Sequence, residues 1–290
     1  MLKHDLVTDR LISPDADWVP LYGGRTNRLW RVAGDAEHVV VKLYLDGAAT
    51  PLFDNNAHAE ALVLKNLTGT GLAPAFIHHR QGPYGSVLIY THQQGLNWRA
   101  GPDQAASVLK SLHCHTVPPG LAALSRAPDG SEALSEQTLA LLSMIPANLA
   151  DDLHGLRPAG VVAPSGLRRI LHGDPVPDNF VCPPDGTGGA PVLIDWQCPA
   201  LGDPVLDLAL FLSPAMQQVT RGSVLSEEES QLFLKAYKDT AAEARLASLR
   251  PFLHWRMAAY CLWKITRDKP DSAYRSGLDA ELEALSCIHA

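Results

Sequence analysis

The chain has 290 residues, of which 46% are apolar and 19% are charged, and its formal net charge is −7. This length allows one large domain or two lobes that share a cleft, with a sizeable apolar core. The composition is ordinary for a globular enzyme. The excess of acidic residues argues against nucleic acid as a partner, because surfaces that bind nucleic acid are basic.

The sequence carries no feature that directs a protein into or across a membrane. Residues 1–18 lack the apolar segment of a signal peptide, and no apolar run is long enough to span a bilayer. The five cysteines are widely spaced and form no CxxC pair, which is typical of reduced thiols rather than of disulfides or a zinc site. We therefore predict a cytoplasmic protein without a membrane partner. The cysteines are Cys114, Cys182, Cys198, Cys261 and Cys287.

The first part of the chain is predicted to form a small β-sheet with one helix. Residues 28–33 and 38–45 have the apolar pattern of two strands, joined by a polar turn at residues 34–37. Residues 55–67 carry apolar side chains at helical spacing, which predicts a helix. Asp54 directly precedes this segment and is the expected N-cap.

Two further apolar runs extend the predicted sheet. They lie around residues 75–78 and at residues 86–91, and the Gly-Pro-Tyr-Gly sequence at residues 82–85 is a strong turn signal between them.

The second part of the chain is predicted to be mainly helical. Helices are expected at residues 102–114 and 131–150, and over most of the chain after Gly202. Short strands are also expected between these helical regions. They lie at residues 169–171, 180–182 and 192–195.

The change from strands to helices divides the chain into two predicted lobes. A small β-rich N-lobe covers residues 1–94, and a larger, mainly helical C-lobe covers residues 95–290. The hinge is expected near residues 91–95. The sequence therefore predicts an α+β protein with its active site in the cleft between the lobes.

The most specific pattern follows the predicted strand at residues 169–171. Asp174 lies directly after this strand, and Asn179 follows five residues later, which is the D-x-x-x-x-N spacing of a kinase catalytic loop. Asp195 ends another predicted strand, across a hairpin from Asn179. Phosphoryl transfer from ATP needs a carboxylate base for the acceptor hydroxyl, oxygen ligands for Mg²⁺ and a cation on the phosphates. His-Gly-Asp alone often only makes a turn, but the full spacing predicts this chemistry.

The segment from Leu171 to Ala209 resembles the aminoglycoside phosphotransferase and choline kinase superfamily. It contains LHGDPVPDNF and, further on, VLIDWQCPALGDPVLDLA. The superfamily pattern is HGD-x4-N, then IDW or IDF, then GDP-x2-DLA. Looser similarity extends from the region of residue 20 to the end of the chain. The resemblance implies a protein-kinase-like fold.

The same resemblance implies a role for each matching residue. Asp174 would be the catalytic base, and Asn179 and Asp195 would bind Mg²⁺. His172 would brace the catalytic loop. Asp207 would support that loop without reacting itself.

Residues 22–32, YGGRTNRLWRV, resemble the phosphate loop of the superfamily, especially of choline-kinase-like members. Gly23 and Gly24 would let the backbone approach phosphate oxygens. Thr26 and Asn27 would add side-chain donors. Two adjacent glycines alone indicate only a turn.

The next strand and helix supply candidates for the other side of the nucleotide. Lys42 lies in a Val-rich strand, as in the V-A-I-K pattern, and is predicted to bind the α- and β-phosphates of ATP. The alternative is a lysine that extends from an edge strand into solvent. Glu60 is the only acid in the following helix and is its predicted partner. By resemblance, residues 89–95 form the hinge that holds adenine through backbone groups of Thr91 and Gln93.

Aromatic residues are the candidates for the acceptor site. Trp255, Tyr260 and Trp263 lie in one predicted helix, and Trp196 directly follows Asp195. Such rings can enclose a quaternary ammonium group by cation–π contact, which would suit choline. The alternative, that these rings belong to the core, is favoured because buried aromatic residues dominate most cores.

Two polar clusters have simpler interpretations. Glu227, Glu228 and Glu229 could form the acidic cleft of an aminoglycoside kinase, but they follow Ser226 and are interpreted as the first turn of a helix. The His-Cys-His sequence at residues 113–115 suggests a metal site. We interpret it as a helix end, because positions i and i+2 of a helix face different ways.

Together, these features predict an ATP- and Mg²⁺-dependent kinase that phosphorylates a hydroxyl of a small molecule, with choline or a related amino alcohol as the leading acceptor. One alternative is an aminoglycoside, sugar or thiamine kinase of the same fold. Another is a nucleotide-binding pseudokinase scaffold, which the joint presence of Lys42, Asp174, Asn179 and Asp195 disfavours. The oligomeric state is not predicted.

Overall fold

A five-stranded antiparallel sheet forms the first part of the computed structural model, which describes residues 2–21, 26–33, 38–184, 189–267 and 272–289. The strands are β1 (Trp18–Leu21), β2 (Arg28–Val32), β3 (Val39–Leu43), β4 (Phe76–Gly82) and β5 (Gly85–Thr91). They stand in the order β1-β2-β3-β5-β4. Two helices pack against opposite faces of the sheet: α1 (Leu2–Thr8) and α2 (Ala57–Leu67).

The central strand β3 presents alternate residues to the two faces. Val41 belongs to the apolar cluster that contains the fully buried Leu6 of α1, whereas Val40 and Tyr44 belong to the cluster that contains α2. Because side chains alternate along a strand, Lys42 lies on the α2 side, between Val40 and Tyr44. The sheet thus directs a lysine into the interior next to a helix.

The first part differs from the sequence prediction in three places. Neither α1 nor β1 was predicted; α1 is one short helix that buries only Leu6, so its apolar pattern is weak. The prediction of Asp54 as N-cap is wrong. The side chain of Asn56 caps α2 by accepting the N–H of Ala59 at 3.0 Å, and the helix begins later than expected.

Helices form most of the second part. None in the described ranges is both long and apolar enough to cross a bilayer. These helices are α3 (Pro102–Cys114), α4 (Gly130–Leu142), α5 (Ala147–Gly155), α6 (Val205–Leu212), α7 (Pro214–Thr220), α8 (Glu227–Tyr237), α9 (Thr240–Arg267) and α10 (Ser272–His289).

The single helix predicted at residues 131–150 is two helices in the structure. Pro146 occupies the N-cap of α5. A proline has no N–H, and its ring excludes the preceding residue from helical conformation. The chain therefore turns between Leu142 and Ala147. The prediction of α3 at residues 102–114 is confirmed.

Two small antiparallel sheets bring the candidate catalytic segments together. The first pairs β7 (Arg169–Leu171) with β10 (Ala200–Gly202), and the second has the order β6 (Leu96–Asn97), β8 (Phe180–Cys182), β9 (Val192–Leu193). The strand predicted at residues 192–195 thus ends at Leu193. The loop after β7 carries Asp174, and the residues after β9 carry Asp195.

The chain passes from the large sheet to the second part at Gly95. This residue has φ +152°, and a Cβ here would lie 1.9 Å from the carbonyl oxygen of Cys182. Only glycine fits such a close backbone approach. The division of the chain into lobes at residue 94 stays a prediction.

Some predicted features lie outside the described residues. They are the glycines Gly23 and Gly24 of the predicted phosphate loop, the turn at residues 34–37, and residues 185–188 of the hairpin between β8 and β9.

Candidate active site

His172 anchors the loop that follows β7. Its ring is fully buried; Nε2 donates to the carbonyl of Ile194 at 2.9 Å, and Nδ1 accepts the N–H of Asp174 at 3.2 Å. Burial lowers the pKa of His172, so the ring stays neutral with one donor and one acceptor. His172 therefore ties the loop of Asp174 to the strand end that precedes Asp195, as a bracing residue would.

Asp207, in the first turn of α6, holds the backbone of the same loop. Its carboxylate accepts the N–H of His172 at 2.8 Å and the N–H of Gly173 at 3.0 Å. It also contacts Nε2 of His113 at 3.0 Å, and Nδ1 of that ring lies 2.9 Å from the hydroxyl of Tyr237. Sequence reasoning missed this use of His113. The helix-end interpretation of residues 113–115 is nevertheless confirmed, since α3 ends at Cys114.

Gly173 allows the loop to pass close to a neighbouring segment. Its φ is +80°, and a Cβ here would lie 2.0 Å from the carbonyl oxygen of Cys198. No side chain fits at this position without a backbone shift. The middle residue of the His-Gly-Asp sequence is therefore required by packing.

Asp174 and Asn179 form one unit. The Nδ2 group of Asn179 donates to the carbonyl oxygen of Asp174 at 2.8 Å and lies 3.3 Å from its Oδ2. Burial raises the pKa of Asp174 to about 7, and the nearby charge of Asp195 adds to the shift. A carboxylate that ionises near neutral pH is well matched to general-base work.

Lys42 joins two acidic side chains from distant segments. Its Nζ lies 2.7 Å from Oε2 of Glu60 and forms a second ion pair with Asp195. Burial lowers the pKa of Lys42, but the charges of Asp195 and Glu60 outweigh this effect and hold it well above its ordinary value. Lys42 is thus a fixed cation, and its contact with Glu60 is as predicted from the sequence.

Tyr44 is a second partner of Glu60 that sequence reasoning missed. Its hydroxyl donates to Oε2 of Glu60, and its ring lies 5.0 Å from Nζ of Lys42. Burial raises the pKa of Glu60, and the charge of Lys42 only partly offsets this effect. Tyr44 follows Lys42 by two positions on β3, so the alternation of strand side chains was the available signal.

Asp195 has a strained backbone. Its φ is +62°, in the left-handed region that non-glycine residues rarely adopt. Such outliers persist only where the surrounding structure holds them, and they concentrate at functional sites. Here the holding contacts are the ion pair with Lys42 and the fixed carbonyl of Ile194 before it.

The donor groups suit a magnesium ion bound together with nucleotide phosphates. The Nδ2 of Asn179 is used by Asp174, which leaves its amide oxygen for a cation, and Asp195 offers carboxylate oxygen. Mg²⁺ is commonly held by one or two protein oxygen ligands plus substrate phosphates rather than by an all-protein cage. No cluster of three His, Cys, Asp or Glu side chains able to hold a metal occurs in the described ranges.

Two of the donors predicted to bind the nucleotide are already bonded within the protein. The amide of Asn27 is turned inward and bonds to Asn55 and Gln197, so it is not a free donor for phosphate. The N–H of Thr91 already donates to the carbonyl of Ala75 at 3.0 Å, so this donor is unavailable to adenine. Neighbouring segments satisfy both groups, because buried polar atoms without partners are costly.

Trp196 and Trp255 belong to the core. Both are fully buried; Nε1 of Trp196 donates to the carbonyl of Leu193 at 2.9 Å, and Nε1 of Trp255 donates to that of Leu153 at 2.7 Å. The Trp196 ring packs on His172 with centroids 4.4 Å apart. The core interpretation, favoured from the sequence, holds for these two, and they are removed from the acceptor-site candidates.

Tyr260 and Trp263 are also buried, and they share one apolar cluster with Trp255 and with Val176 of the loop after β7. Their rings stack at 5.9 Å, and Phe53 approaches Tyr260 edge-on at 5.0 Å. The half-buried Phe53 packs against this cluster. The core interpretation therefore holds for Tyr260 and Trp263 as well, although their cluster reaches Val176, two residues after Asp174. Phe53, on the segment between β3 and α2, was not identified from the sequence.

The acidic cluster that starts α8 is a helix cap. The N–H of Glu229 donates to Oγ of Ser226 at 3.1 Å, and Oε2 of Glu229 accepts the N–H of Ser226 at 2.9 Å. This reciprocal pair is a capping box, as interpreted from the sequence.

Residues 17–252 match the model of the phosphotransferase enzyme family. No curated protein sequence matches the chain. Among solved structures, a choline/ethanolamine kinase family protein from Mesorhizobium loti is 18% identical, with 99% of this chain and 93% of that chain covered and a TM-score of 0.63.

Two further solved structures share the fold. A choline kinase from Cryptosporidium parvum is 12% identical, with 99% and 95% of the two chains covered and a TM-score of 0.65. An ADP-bound aminoglycoside phosphotransferase is 14% identical, with 97% of each chain covered and a TM-score of 0.61. At such identities the likeness concerns the fold, which is α+β and protein-kinase-like.

Proposed function

The chain belongs to the phosphotransferase enzyme family, and from this membership we propose that it transfers the γ-phosphate of ATP to a hydroxyl of choline or a related amino alcohol. The observation that carries the proposal is the meeting of two units. Lys42 with its two acids forms the first, and Asp174 with Asn179 forms the second. The N–H of Ile194 donates to the carbonyl of Asn179 at 2.9 Å, which places the following residue, Asp195, beside the loop of Asp174, so the two units face one site.

Asp174 takes the role of base. Its carboxylate accepts the proton of the acceptor hydroxyl as that oxygen attacks the γ-phosphate. Because its pKa lies at about 7, it is largely ionised in mildly alkaline solution and still basic enough to take a proton. Asn179, His172 and Asp207 keep the loop in place, so little reorganisation is needed when the acceptor binds.

Lys42 binds the α- and β-phosphates of ATP. Glu60 and Tyr44 hold the Lys42 side chain in position. Asn179 and Asp195 would hold Mg²⁺, which neutralises phosphate charge when it is bound. Lys42 also bonds to Asp195 directly. Its ammonium group has three donors, which would be shared between the two acids and a phosphate oxygen.

The proposed acceptor rests on three observations. Residues 22–32 resemble choline-kinase-like members, and two of the similar structures are a choline/ethanolamine kinase family protein and a choline kinase. Phe53 and Tyr260 form an aromatic pair in the apolar cluster that includes Val176, two residues after Asp174, and aromatic faces beside a carboxylate suit a cationic amino alcohol. An aminoglycoside acceptor has less support, because the acids at residues 227–229 serve as a helix cap.

The test is a coupled ADP-release assay over choline, ethanolamine, simple sugars, thiamine and kanamycin-type compounds. We expect turnover with an amino alcohol, and a loss of about 10²–10⁴-fold in kcat when Asp174→Asn removes the base. Turnover with a sugar or an aminoglycoside alone would reject the proposed acceptor class.

Asp178→Asn is the matched control, because Asp178 lies in the same loop but pairs with the exposed Arg99 at 2.8 Å. Exposed pairs contribute little, so this variant should keep its activity. Full activity of the Asp174→Asn variant would contradict the proposed base.

A further inference from the structure

Three side-chain amides bond to one another where the segments before β2, before α2 and after β9 meet. Nδ2 of Asn27 donates to Oδ1 of Asn55 at 2.7 Å and to Oε1 of Gln197 at 2.8 Å. Nδ2 of Asn55 returns a bond to Oδ1 of Asn27 at 3.0 Å. Nε2 of Gln197 lies 3.3 Å from Oγ1 of Thr26. We call Asn27, Asn55 and Gln197 the amide cluster.

The amide cluster also bonds to backbone groups of Leu45 and Asn56. The N–H of Leu45 donates to Oδ1 of Asn27 at 3.1 Å, and Nδ2 of Asn55 also donates to the carbonyl of Leu45 at 3.2 Å. The N–H of Asn56 donates to the carbonyl of Gln197 at 3.1 Å. Asn27 and Gln197 are only 9% and 5% exposed, and Asn55 is half-buried. A polar network whose buried groups are all bonded is rigid, because each missing bond would cost desolvation.

Each segment in the cluster leads to a group proposed to act on the nucleotide. Leu45 follows the strand of Lys42, and Asn55 precedes the helix of Glu60. Gln197 lies two residues after Asp195, and Asn27 lies within residues 22–32, the segment that resembles a phosphate loop. The cluster therefore connects the elements that surround the phosphates.

We propose that Asn27, Asn55 and Gln197 are positioning residues that hold Lys42, Glu60 and Asp195 at the spacing required by a magnesium–nucleotide complex. The inference rests on the proposed function and deepens it. The physical reason is that ion pairs and amide–amide hydrogen bonds respond differently to added charge. The ion pairs of Lys42 are redistributed when phosphate and cation charges enter the site. Amide–amide hydrogen bonds carry no net charge and are directional, so the cluster keeps its geometry during this exchange.

The test compares Gln197→Met with Gln197→Glu. Methionine has similar length but leaves the Nδ2 of Asn27 without this acceptor. Glutamate keeps an acceptor for Asn27 but adds a charge at a position that is only 5% exposed, two residues from Asp195. Affinity for Mg²⁺–ADP is measured by titration calorimetry, and the KM values for Mg²⁺–ATP and for the acceptor are measured separately. We expect about tenfold weaker Mg²⁺–ADP binding for the Met variant, the effect of losing one buried hydrogen bond. The Glu variant should not recover this affinity, and in both variants the KM for the acceptor should change less than the KM for Mg²⁺–ATP. Full affinity in the Glu variant would contradict the role given to the uncharged amides.

A matched control separates positioning from general stability. Gln137, on α4, accepts the N–H of Arg256 Nε at 2.7 Å from α9, so its replacement also leaves a donor without this acceptor. Gln137→Met should lower the Tm, as Gln197→Met does, but leave Mg²⁺–ADP affinity unchanged. Equal affinities in the natural protein and Gln197→Met would overturn the positioning role while leaving the proposed function intact.

Calorimetry with Mg²⁺–ADP needs no acceptor, so an error in the acceptor class does not affect this comparison. If the natural protein binds no Mg²⁺–ADP, both the proposed function and this inference are wrong. A double-mutant cycle of Asn27→Leu with Gln197→Met adds a second criterion. Because the two residues share one bond, their effects on affinity should be less than additive; full additivity would contradict a shared positioning role.

Discussion

The loop after β7 and the segments around Lys42 hold their carboxylates in different ways. Asp207 receives two backbone N–H groups and contacts the ring of His113. Glu60 and Asp195 instead share the single cation Lys42, and Oε1 of Glu60 has no hydrogen-bond partner among the described residues.

This difference separates a carboxylate that only holds the backbone in place from carboxylates that can rearrange when a ligand binds. A carboxylate whose acceptor positions are filled by fixed donors keeps its place whatever binds nearby. Carboxylates that share a lysine are rearranged by any added charge, since the lysine can exchange one partner for another. The nucleotide side is therefore the side that should respond to pH and to charged ligands.

The strongest test of this contrast is Lys42→Met. It leaves two carboxylates facing each other without a cation, and loss of one partner from a buried ion pair costs about 3–5 kcal/mol. Burial already raises the pKa of Glu60; without Lys42 it should rise further, so protonation partly rescues the variant in acid. We expect a larger loss of unfolding free energy at pH 8 than at pH 5, measured by urea denaturation. An equal loss of unfolding free energy at pH 5 and pH 8 would mean that the unpaired carboxylate of Glu60 does not cause the destabilisation.

The matching change on the other side is Asp207→Ala. It removes the acceptor of two backbone N–H groups, each of which costs about 1–3 kcal/mol when left buried and unpaired. Since these two N–H donors do not titrate, the loss of unfolding free energy should be similar at pH 5 and pH 8 when His113, the titratable partner of Asp207, is replaced by Gln in both proteins. A steep pH dependence in that background would contradict the description of Asp207 as a carboxylate held by backbone donors.

A smaller effect is expected for Tyr44→Phe, which removes one hydrogen bond to Glu60 and keeps the ring over Lys42. Hydrogen bonds to charged groups contribute about 1.5–3 kcal/mol. Thermal unfolding should show a lower Tm for this variant. Tyr84→Phe is the control, because Tyr84 packs against the apolar cluster that contains Leu6 of α1, on the other face of the sheet from Lys42. An equal Tm decrease for both variants would contradict a stabilising contact between Tyr44 and Glu60.

The smallest and most specific effect concerns Asp174. Its pKa rises from 3.8 to about 7 in the folded protein, so the protonated form is favoured by folding. This contribution to stability is present in acid and lost as the pH rises through about 7. The variant Asp174→Asn should therefore gain stability relative to the natural protein between pH 5 and pH 8.5, measured as the difference in Tm. A constant difference would contradict the raised pKa.

Local spacing explains what could be predicted of the site. Asp174 and Asn179 lie five positions apart in one loop, so their contact follows from the sequence pattern. Glu60 was found by elimination, since it is the only acid in the helix after the lysine strand. His113 was missed because it reaches Asp207 across 94 positions of sequence. Asn27 was assigned to phosphate because its partner Gln197 lies 170 positions away.

The sequence by itself predicted the β-rich first part and the mainly helical second part, the candidate reactive side chains and the likeness to small-molecule kinases, because these depend on residue type and on short spacing. The tertiary structure alone decided which side chains are buried, which amides are already bonded and which aromatic rings remain near Asp174. Burial and hydrogen-bond satisfaction arise when distant segments pack together, and no local pattern contains that information. For this reason the amide cluster, the Tyr44 contact and the core position of Trp196 became visible only in the folded chain.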